Sequence, residues 1–168
     1  MCIRDRESAA RYDEAGAAFS AFEPTARTVF GSGTEMAMTL DGLGRDLVRK
    51  GHASEAVARH EEALAMFESH YGATSLELAP TLVDLGRALV AAGRASDARV
   101  PLERVLALLS AEPSDPLLGA EARVALARAL AVSDPSRSSS LIAEALAAAR
   151  SSLYPRAARL VSEIEAGP

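Results

Sequence analysis

The sequence has very little cysteine and few aromatic side chains. It contains one cysteine, Cys2, and no Trp, and aromatic residues make up 4% of its 168 positions. A single cysteine excludes an internal disulfide framework and a zinc site built from several cysteines. Hydrophobic residues make up 49% of the chain, and Ala, Leu and Val supply most of them. This composition favours closely packed helices over a β-sandwich, in which β-branched and aromatic residues dominate.

The chain also has no excess of positive charge and no long apolar run. The formal net charge is −5, whereas a surface that binds nucleic acid without sequence preference needs a clustered positive field. No apolar run approaches the roughly 20 residues that a helix needs to span a bilayer. We therefore expect one domain of ordinary size, no nucleic-acid partner, no membrane segment in this chain and a cytoplasmic location.

The first six residues resemble a translated sequencing adapter. Met1–Arg6 reads MCIRDR, which can be encoded by the transposon end sequence that is attached to DNA fragments during library preparation. A segment of this kind is left out of fold reasoning. We therefore expect residues 1–6 to be non-native and the chain to be the C-terminal part of a longer protein, which leaves a signal, a membrane anchor or an upstream domain open. The alternative is a natural start with this hexamer.

A repeat of 42 residues dominates the features that the sequence does have. The segment Leu40–Leu64 returns as Leu82–Leu106 with the same small and large residues in place. A third copy follows, in which Leu126 matches Leu85 at an offset of 41 and the second half matches at an offset of 40. Repeats of this length stack, because one unit alone cannot bury its apolar surface. The sequence therefore predicts an all-α stack of antiparallel helix hairpins.

Helix start signals recur in register with this repeat. The signals are Ser32 followed by Glu35, Thr74 followed by Glu77, and Asp115 followed by Pro116. The first two pairs have the spacing of a capping box, and the third is an acidic N-cap before a proline. The predicted units of the domain 7–168 are a half repeat at 8–30, repeats at 32–71, 74–112 and 115–151, and a capping helix at 155–166.

Within each unit the two helices should be separated by a glycine turn. Gly51 and Gly93 are expected to end the first helices, because glycine accepts the positive φ that a helix C-terminus commonly needs. Ser54 and Ser96 are then expected to cap the second helices. Small residues where two helices approach, such as Gly44, should lie under large side chains of the partner helix.

Two segments depart from the regular pattern. Residues 8–30 should form one helix, or two helices broken near Pro24, where the missing backbone donor predicts a kink. In the third unit the serine-rich stretch 132–140, VSDPSRSSS, replaces the glycine turn. We expect that whole stretch to be a turn.

These residues resemble the tetratricopeptide repeat, whose pattern has a large residue, then Leu-Gly, then a large residue, and later a small, a large and a small residue. One copy is filled by Leu40, Leu43, Gly44, Leu47, Ala56, His60 and Ala63, and the next by Leu82, Leu85, Gly86, Leu89, Ala98, Leu102 and Val105. The resemblance covers about Tyr12–Ser151, and the spacing is similar to that of the kinesin-light-chain-like subtype. A departure is His60, at a position that is usually aromatic.

The resemblance implies a right-handed α-solenoid whose first helices line a concave peptide-binding groove. It implies a non-catalytic scaffold without a cofactor, which binds a peptide or helix of a protein partner. Such repeats are widespread in bacteria, often behind a kinase or another signalling domain, so we expect the C-terminal part of a bacterial signalling protein. The alternative is the regulatory tail of a serine/threonine kinase whose catalytic domain is missing from this sequence.

Three arginines are the candidate binding residues of the groove. Arg45, Arg87 and Arg128 follow the Leu-Gly or Leu-Ala pair in successive units and should project from consecutive first helices. Guanidinium groups suit the recognition of carboxylates through paired hydrogen bonds. The competing interpretation is that Asp41 pairs with Arg45 and Asp84 with Arg87 along each helix, which only keeps an exposed face soluble. That interpretation leaves Arg128 as the least neutralised arginine.

The other residue patterns in the sequence do not indicate a metal, phosphate-binding or catalytic site. His60 lacks the second histidine of a helical zinc motif and is expected to be a partly buried helix residue. His52 and His70 have no ligand-type spacing, and the segment 31–34 lacks the Lys of a phosphate-binding loop. No nucleophile and base can be assembled, so we expect neither an enzyme nor a metal site.

An apolar stripe near the N-terminus suggests self-association. Phe19, Phe22, Ala26 and Phe30 follow one another at helical spacing. If the first helix of this unit is absent, the phenylalanines should be exposed, and a second copy of the chain could cover them.

Overall fold

A computed structural model describes residues 3–111, 116–152 and 154–166. Within these residues the chain forms eight α-helices and one short 3-10 turn, Leu76–Leu78. The helices are α1 Ile3–Phe30, α2 Thr34–Arg49, α3 Ala53–Tyr71, α4 Ala79–Ala91, α5 Ala95–Ala111, α6 Pro116–Leu130, α7 Pro135–Ser151 and α8 Pro155–Ala166. None of the described helices is both long enough and apolar enough to cross a membrane.

The helices stack as successive hairpins. The pairs α2–α3, α4–α5 and α6–α7 each pack against each other, and the second helix of one pair packs on the first helix of the next. The first helices also contact one another, α2 with α4 and α4 with α6. At the ends, α1 packs on α2, while α8 packs on α6 and α7. The fold is the all-α helical-repeat solenoid that the sequence predicts.

Aliphatic side chains fill the core in three clusters that follow one another along the stack. One cluster joins the α2–α3 hairpin to α4, the second joins α4–α5 to α6–α7, and the third joins α6–α7 to α8. Leu40, Leu82 and Leu126 each have at most 1% of their surface exposed. Each buried leucine stabilises the fold by about 1.5–3 kcal/mol relative to exposure. Each hairpin therefore depends on its neighbour for burial.

Glycine allows the two helices of a hairpin to approach closely. A Cβ built on Gly44 would lie 2.5 Å from Nε2 of His60, and a Cβ on Gly86 would overlap the Leu102 side chain. The predicted packing of large side chains over small residues is confirmed. The predicted glycine turns are also confirmed, because Gly51 has φ of 84° after α2.

The capping-box prediction is wrong at the start of α2. The helix begins at Thr34 with Gly33 as its N-cap, and no side chain bonds to the free backbone amides there. Ser32 therefore does not cap this helix. Gly33 is itself an accepted N-cap, and it places the start one residue later than the serine would.

The prediction is also wrong at α4, because a 3-10 turn precedes that helix. Ser75, rather than Thr74, caps the turn, and its Oγ accepts a hydrogen bond from the Glu77 amide at 3.2 Å. Pro80 suits the first turn of the α-helix that follows, since it has no backbone N–H to satisfy. The third predicted cap, Asp115, lies outside the described residues, whereas Pro116 is the first residue of α6 as predicted.

The second helices begin slightly earlier than predicted. Helix α3 starts at Ala53 and α5 at Ala95, so Ser54 and Ser96 lie inside the first turn. His52 is the N-cap of α3 and makes no side-chain cap bond. The two serines are therefore not N-caps.

The two irregular segments are more helical than predicted. Pro24 lies inside α1, so the alternative of two broken helices is wrong. Helix α7 starts at Pro135, where Asp134 Oδ1 accepts from the Arg137 amide at 3.0 Å. An acidic N-cap followed by proline is a strong helix start, so the serines at 136–140 belong to the helix rather than to a turn. Of the predicted non-native residues, Ile3–Arg6 lie in α1, while 1 and 2 lie outside the described residues.

Candidate functional site

The three candidate arginines lie on the first helices of successive hairpins. Arg45 is on α2, Arg87 on α4 and Arg128 on α6. Their side chains are 50%, 34% and 36% exposed. Since the first helices contact one another along the stack, the arginines form one row. We call the surface formed by α2, α4, α6 and α8 around this row the groove.

Carboxylates link the row from one hairpin to the next. Nη1 of Arg45 contacts Asp41 Oδ2 at 2.6 Å in its own helix and Asp84 Oδ2 at 3.1 Å in α4. Arg87 lies 3.6 Å from the same Asp84 and 3.3 Å from Glu121 of α6. The pairs within each helix are those expected from the sequence. The cross-helix pairs were not predicted, and they make a continuous network over three hairpins.

This network stabilises the charged form of Arg45. Partial burial alone would lower its pKa, but the charges of Asp41 and Asp84 and their hydrogen bonds raise the pKa above the ordinary value. The guanidinium therefore keeps its positive charge at the centre of the network. Asp41 and Asp84 have 8% and 14% of their side chains exposed, so solvent screens these pairs less than it screens surface pairs.

Arg128 is paired with the last helix. Its Nη2 lies 3.0 Å from Glu163 Oε1 of α8. Arg128 thus has one carboxylate partner among the described residues, whereas Arg45 and Arg87 each have two, as the expectation that it is the least neutralised arginine requires. Sequence patterns within one repeat could not predict this pair, because the partner belongs to a helix beyond the last whole hairpin.

Two cavities open along the groove. One of about 510 Å³ lies between α1, α2 and α4, where Phe19, Gly42 and Val48 provide apolar walls beside Arg45 and Arg87. The other, of about 520 Å³, lies between α4, α6 and α8; its walls include Val90, Ala125, Leu160, Arg87 and Arg128. The groove thus combines apolar floors with guanidinium groups. It can take a segment that carries both apolar and acidic side chains.

His60 lies beneath the first cavity and is fully buried, more than the sequence predicted. Its ring fits over Gly44, which provides the space. Nδ1 lies 2.8 Å from Asp41 Oδ1, while Nε2 has no hydrogen-bond partner in the described part of the chain. Sequence reasoning missed this pair. Comparison of the repeats could have found it, since the second unit has Val83 and Leu102 at the same positions.

The aromatic stripe of α1 is partly exposed. Phe22 and Phe30 are 43% and 37% exposed, and their ring centroids are 6.2 Å apart. Phe19 is half-buried, and a Cβ on Gly42 would overlap its ring. Ala26 is fully buried. The predicted exposure therefore holds for two of the three phenylalanines, and self-association stays a prediction.

The described residues form no group of His, Cys, Asp and Glu side chains that could hold a metal ion. His52 pairs with Glu55 at 3.3 Å, and His70 stacks edge-on against Tyr71.

Comparison with known families supports the repeat assignment. Residues 35–111 match the family model of the tetratricopeptide repeat. The match spans α2 to α5, which are the two hairpins that carry the 42-residue repeat. No curated protein matches the chain.

Proposed function

We propose, since the chain belongs to the tetratricopeptide repeat family, that its groove binds a peptide or helix of a protein partner. Repeats of this family generally mediate protein–protein interactions and are typically non-catalytic. The more specific part of the proposal says which residues bind the partner and which partner side chains they contact. Arg45, Arg87 and Arg128 would contact acidic side chains of the partner, while the two cavities would take its apolar side chains.

The row of partly exposed arginines above apolar cavities is the observation that supports this proposal. Binding costs free energy when the side chains that the ligand contacts must first be ordered. Here Asp41, Asp84, Glu121 and Glu163 already hold the arginines in place. The binding surface is therefore preorganised before a partner arrives.

The arginines retain donors for a ligand although they are paired. A guanidinium group has five N–H donors. Both carboxylates that contact Arg45 use its Nη1. Its other nitrogens can therefore donate to an incoming carboxylate while the network stays intact. Exposed ion pairs contribute only about 0–1 kcal/mol each, so we expect modest affinity that depends on several contacts together.

The competing interpretation is that the network serves only to tie the hairpins together. Under that interpretation, removal of the arginines changes the free energy of unfolding and leaves binding to peptides unchanged. The two interpretations are separated by measuring stability and affinity on the same variants.

A display library of random peptides, selected on the purified protein, supplies ligands for this test. The variant is Arg45→Gln, Arg87→Gln and Arg128→Gln together, and calorimetry measures its affinity for the selected peptides. We expect a loss of at least about tenfold, because three charge-assisted contacts of about 0.5 kcal/mol or more each are removed.

The matched control replaces three arginines on the opposite, second-helix side. Arg94, Arg99 and Arg137 are 51%, 46% and 43% exposed and are also paired with carboxylates. None of them lines either groove cavity. We expect this Arg→Gln triple variant to bind like the wild type. Equal affinities for the wild type and the groove variant, with both proteins folded, would refute the proposal.

The wider role that we propose is in bacterial signalling, with the tail of a serine/threonine kinase as the alternative. The length of the repeat supports the signalling role, and the sequence upstream of this chain would decide between that role and the kinase tail. A glycine-rich loop, a strand lysine and an HRD-type catalytic loop in the same reading frame would establish the kinase. Further repeats in their place would count against it.

A further inference from the structure

The first hairpin differs from the two later hairpins at two interior positions. The equivalent residues are Asp41 and His60 in α2–α3, Val83 and Leu102 in α4–α5, and Val124 and Ile142 in α6–α7. The first hairpin thus has a polar pair where the others have an apolar pair. A buried polar pair is seldom more stabilising than well-packed apolar side chains, so packing alone does not account for it.

The polar pair is connected directly to the groove. The two oxygens of Asp41 face different partners: Oδ1 lies 2.8 Å from His60 Nδ1, and Oδ2 lies 2.6 Å from Arg45 Nη1. His60 therefore acts on Arg45 through one carboxylate. Since an ionised carboxylate can only accept, Nδ1 of His60 carries a proton, and Nε2 is the atom that gains a second one.

His60 and Arg45 also border the same cavity of about 510 Å³. Of the α1 side chains that the structure describes, those in its walls are Ala15, Gly16 and Phe19, and none of these is charged. The described charged groups that face this region from the other elements are Asp41, Arg45, Asp46 and Arg49 of α2, Asp84 and Arg87 of α4, and Arg159 of α8. The nearest anions to Arg45 are Asp41 and Asp84.

We propose that the Asp41–His60 pair tunes the Arg45 end of the groove, so that an anionic ligand binds there more tightly when His60 is protonated. With neutral His60, Asp41 and Asp84 both accept from Nη1 of Arg45. A proton on Nε2 adds a positive charge beside Asp41 and weakens the competition of Asp41 for Arg45. A ligand carboxylate on Arg45 is then favoured, and by linkage its binding is accompanied by proton uptake.

The inference rests on the proposed function, because it assigns a regulated subsite to the same groove. His60 is a positioning residue here, since it acts through Asp41 and does not itself contact the ligand. The ligand group is a carboxylate of a peptide.

The test uses hexaglutamate with an N-terminal rhodamine label and an amidated C-terminus as the acidic probe, and hexaglutamine with the same label and amide as the neutral probe. Affinities are measured by fluorescence anisotropy from about pH 5.5 to about pH 8.5, which brackets the ordinary titration of histidine. We expect the wild type to bind hexaglutamate about threefold to tenfold more tightly at the acidic end, because one positive charge is added near Arg45. Hexaglutamine should bind weakly throughout.

The decisive variant is His60→Leu, which places over Gly44 the side chain that Leu102 places over Gly86. We expect it to fold and to bind hexaglutamate with an affinity that no longer rises at acidic pH. The double variant Asp41→Val with His60→Leu reproduces the pair of the second hairpin and should give the same flat profile. The matched control is His52→Gln, at an exposed turn histidine, and it should keep the wild-type profile.

Two results would overturn the inference. One is a pH profile for His60→Leu that parallels the wild type; the other is failure of hexaglutamate to bind the wild type. If either occurs while the display-selected peptides still depend on the groove arginines, the proposed function stands without this subsite. If those peptides are indifferent to the arginines, the proposed function has failed as well.

Discussion

At the residue scale, one missing Cβ decides how closely the two helices of a hairpin approach. Gly86 lies directly under Leu102, and Gly44 lies under His60. Both partner side chains are fully buried. The close approach brings the leucines of the two helices into contact, so a substitution at such a glycine should push the hairpin apart. Glycine is needed here for space and not for an unusual φ.

Gly86→Ala should lower the free energy of unfolding by up to about 2 kcal/mol. The added methyl group meets Leu102, and overpacking of roughly 1–3 kcal/mol exceeds the helix-propensity gain of about 1 kcal/mol. Urea unfolding followed by circular dichroism measures the change. The control is Gly119→Ala, since a Cβ there meets Arg123 Nη1 at 3.1 Å, the end of a flexible side chain. It should be neutral or stabilising, and an equal loss in both variants would contradict the packing account.

The same residues show what the sequence can and cannot predict. Glycine under a large side chain follows from the repeat, because Leu-Gly recurs at matching positions of two hairpins. The full burial of His60 could not be predicted, because the histidine by itself does not indicate which residue it pairs with. Asp41 lies 19 positions away in the chain, and no helical spacing connects the two residues. Only the packed hairpin brings them to 2.8 Å.

At the element scale, ion pairs across the surface help to hold α1 against the rest of the stack. Arg27 of α1 contacts Glu62 of α3 at 2.7 Å, and Arg59 of α3 contacts Glu23 of α1 at 3.2 Å. Few of the side chains described in α1 are buried, and the largest fully buried one is that of Ala26. The docking of α1 should therefore depend more on charge than the docking of the other helices does.

Glu62→Gln should loosen α1 at neutral pH and have little effect in acid. The hydrogen bond from Arg27 lowers the pKa of Glu62, although burial opposes this. A lowered folded pKa gives stability that is present above the ordinary value of 4.5 and is lost as the pH falls through the folded value. We expect a loss of up to about 1 kcal/mol at pH 7, which should disappear well below pH 4.

Hydrogen exchange of the α1 amides, measured at both pH values, checks this prediction. Glu61→Gln is the control, because Glu61 is the exposed neighbour on the same helix and has no part in the contact with Arg27. Faster exchange of α1 in both variants, or a difference that persists in acid, would contradict the assignment to Glu62.

The number and order of the helices could be predicted from the sequence, and so could the starts of α6 and α8, but several other first residues could not. Caps depend on one or two local bonds, and several residues in each loop can serve. Ser75 competes with Thr74, and Gly33 replaces Ser32. Proline was also ambiguous, since Pro24 is tolerated inside α1 whereas Pro135 starts α7. The repeat sets the spacing of the helices, and local competition sets their ends.

At the scale of the whole molecule, the groove exists only because the hairpins stack. The bond between Arg45 and Asp84 joins residues 39 positions apart, and Arg128 finds its partner on α8. The row of arginines could be predicted from the repeat, because equivalent positions face the same way in each unit. The carboxylates between them could not, because they belong to neighbouring hairpins and to a helix outside the pattern.

The central claim is that this row of arginines is the binding surface of the stacked helical hairpins. The most direct measurement is NMR of the arginine Nε–Hε groups in the full chain, during titration with a display-selected peptide. The account predicts that the resonances of Arg45, Arg87 and Arg128 shift together as the peptide binds, while those of Arg99 and Arg137 on the second helices stay in place. Shifts confined to the second helices, with the groove arginines unchanged, would contradict it.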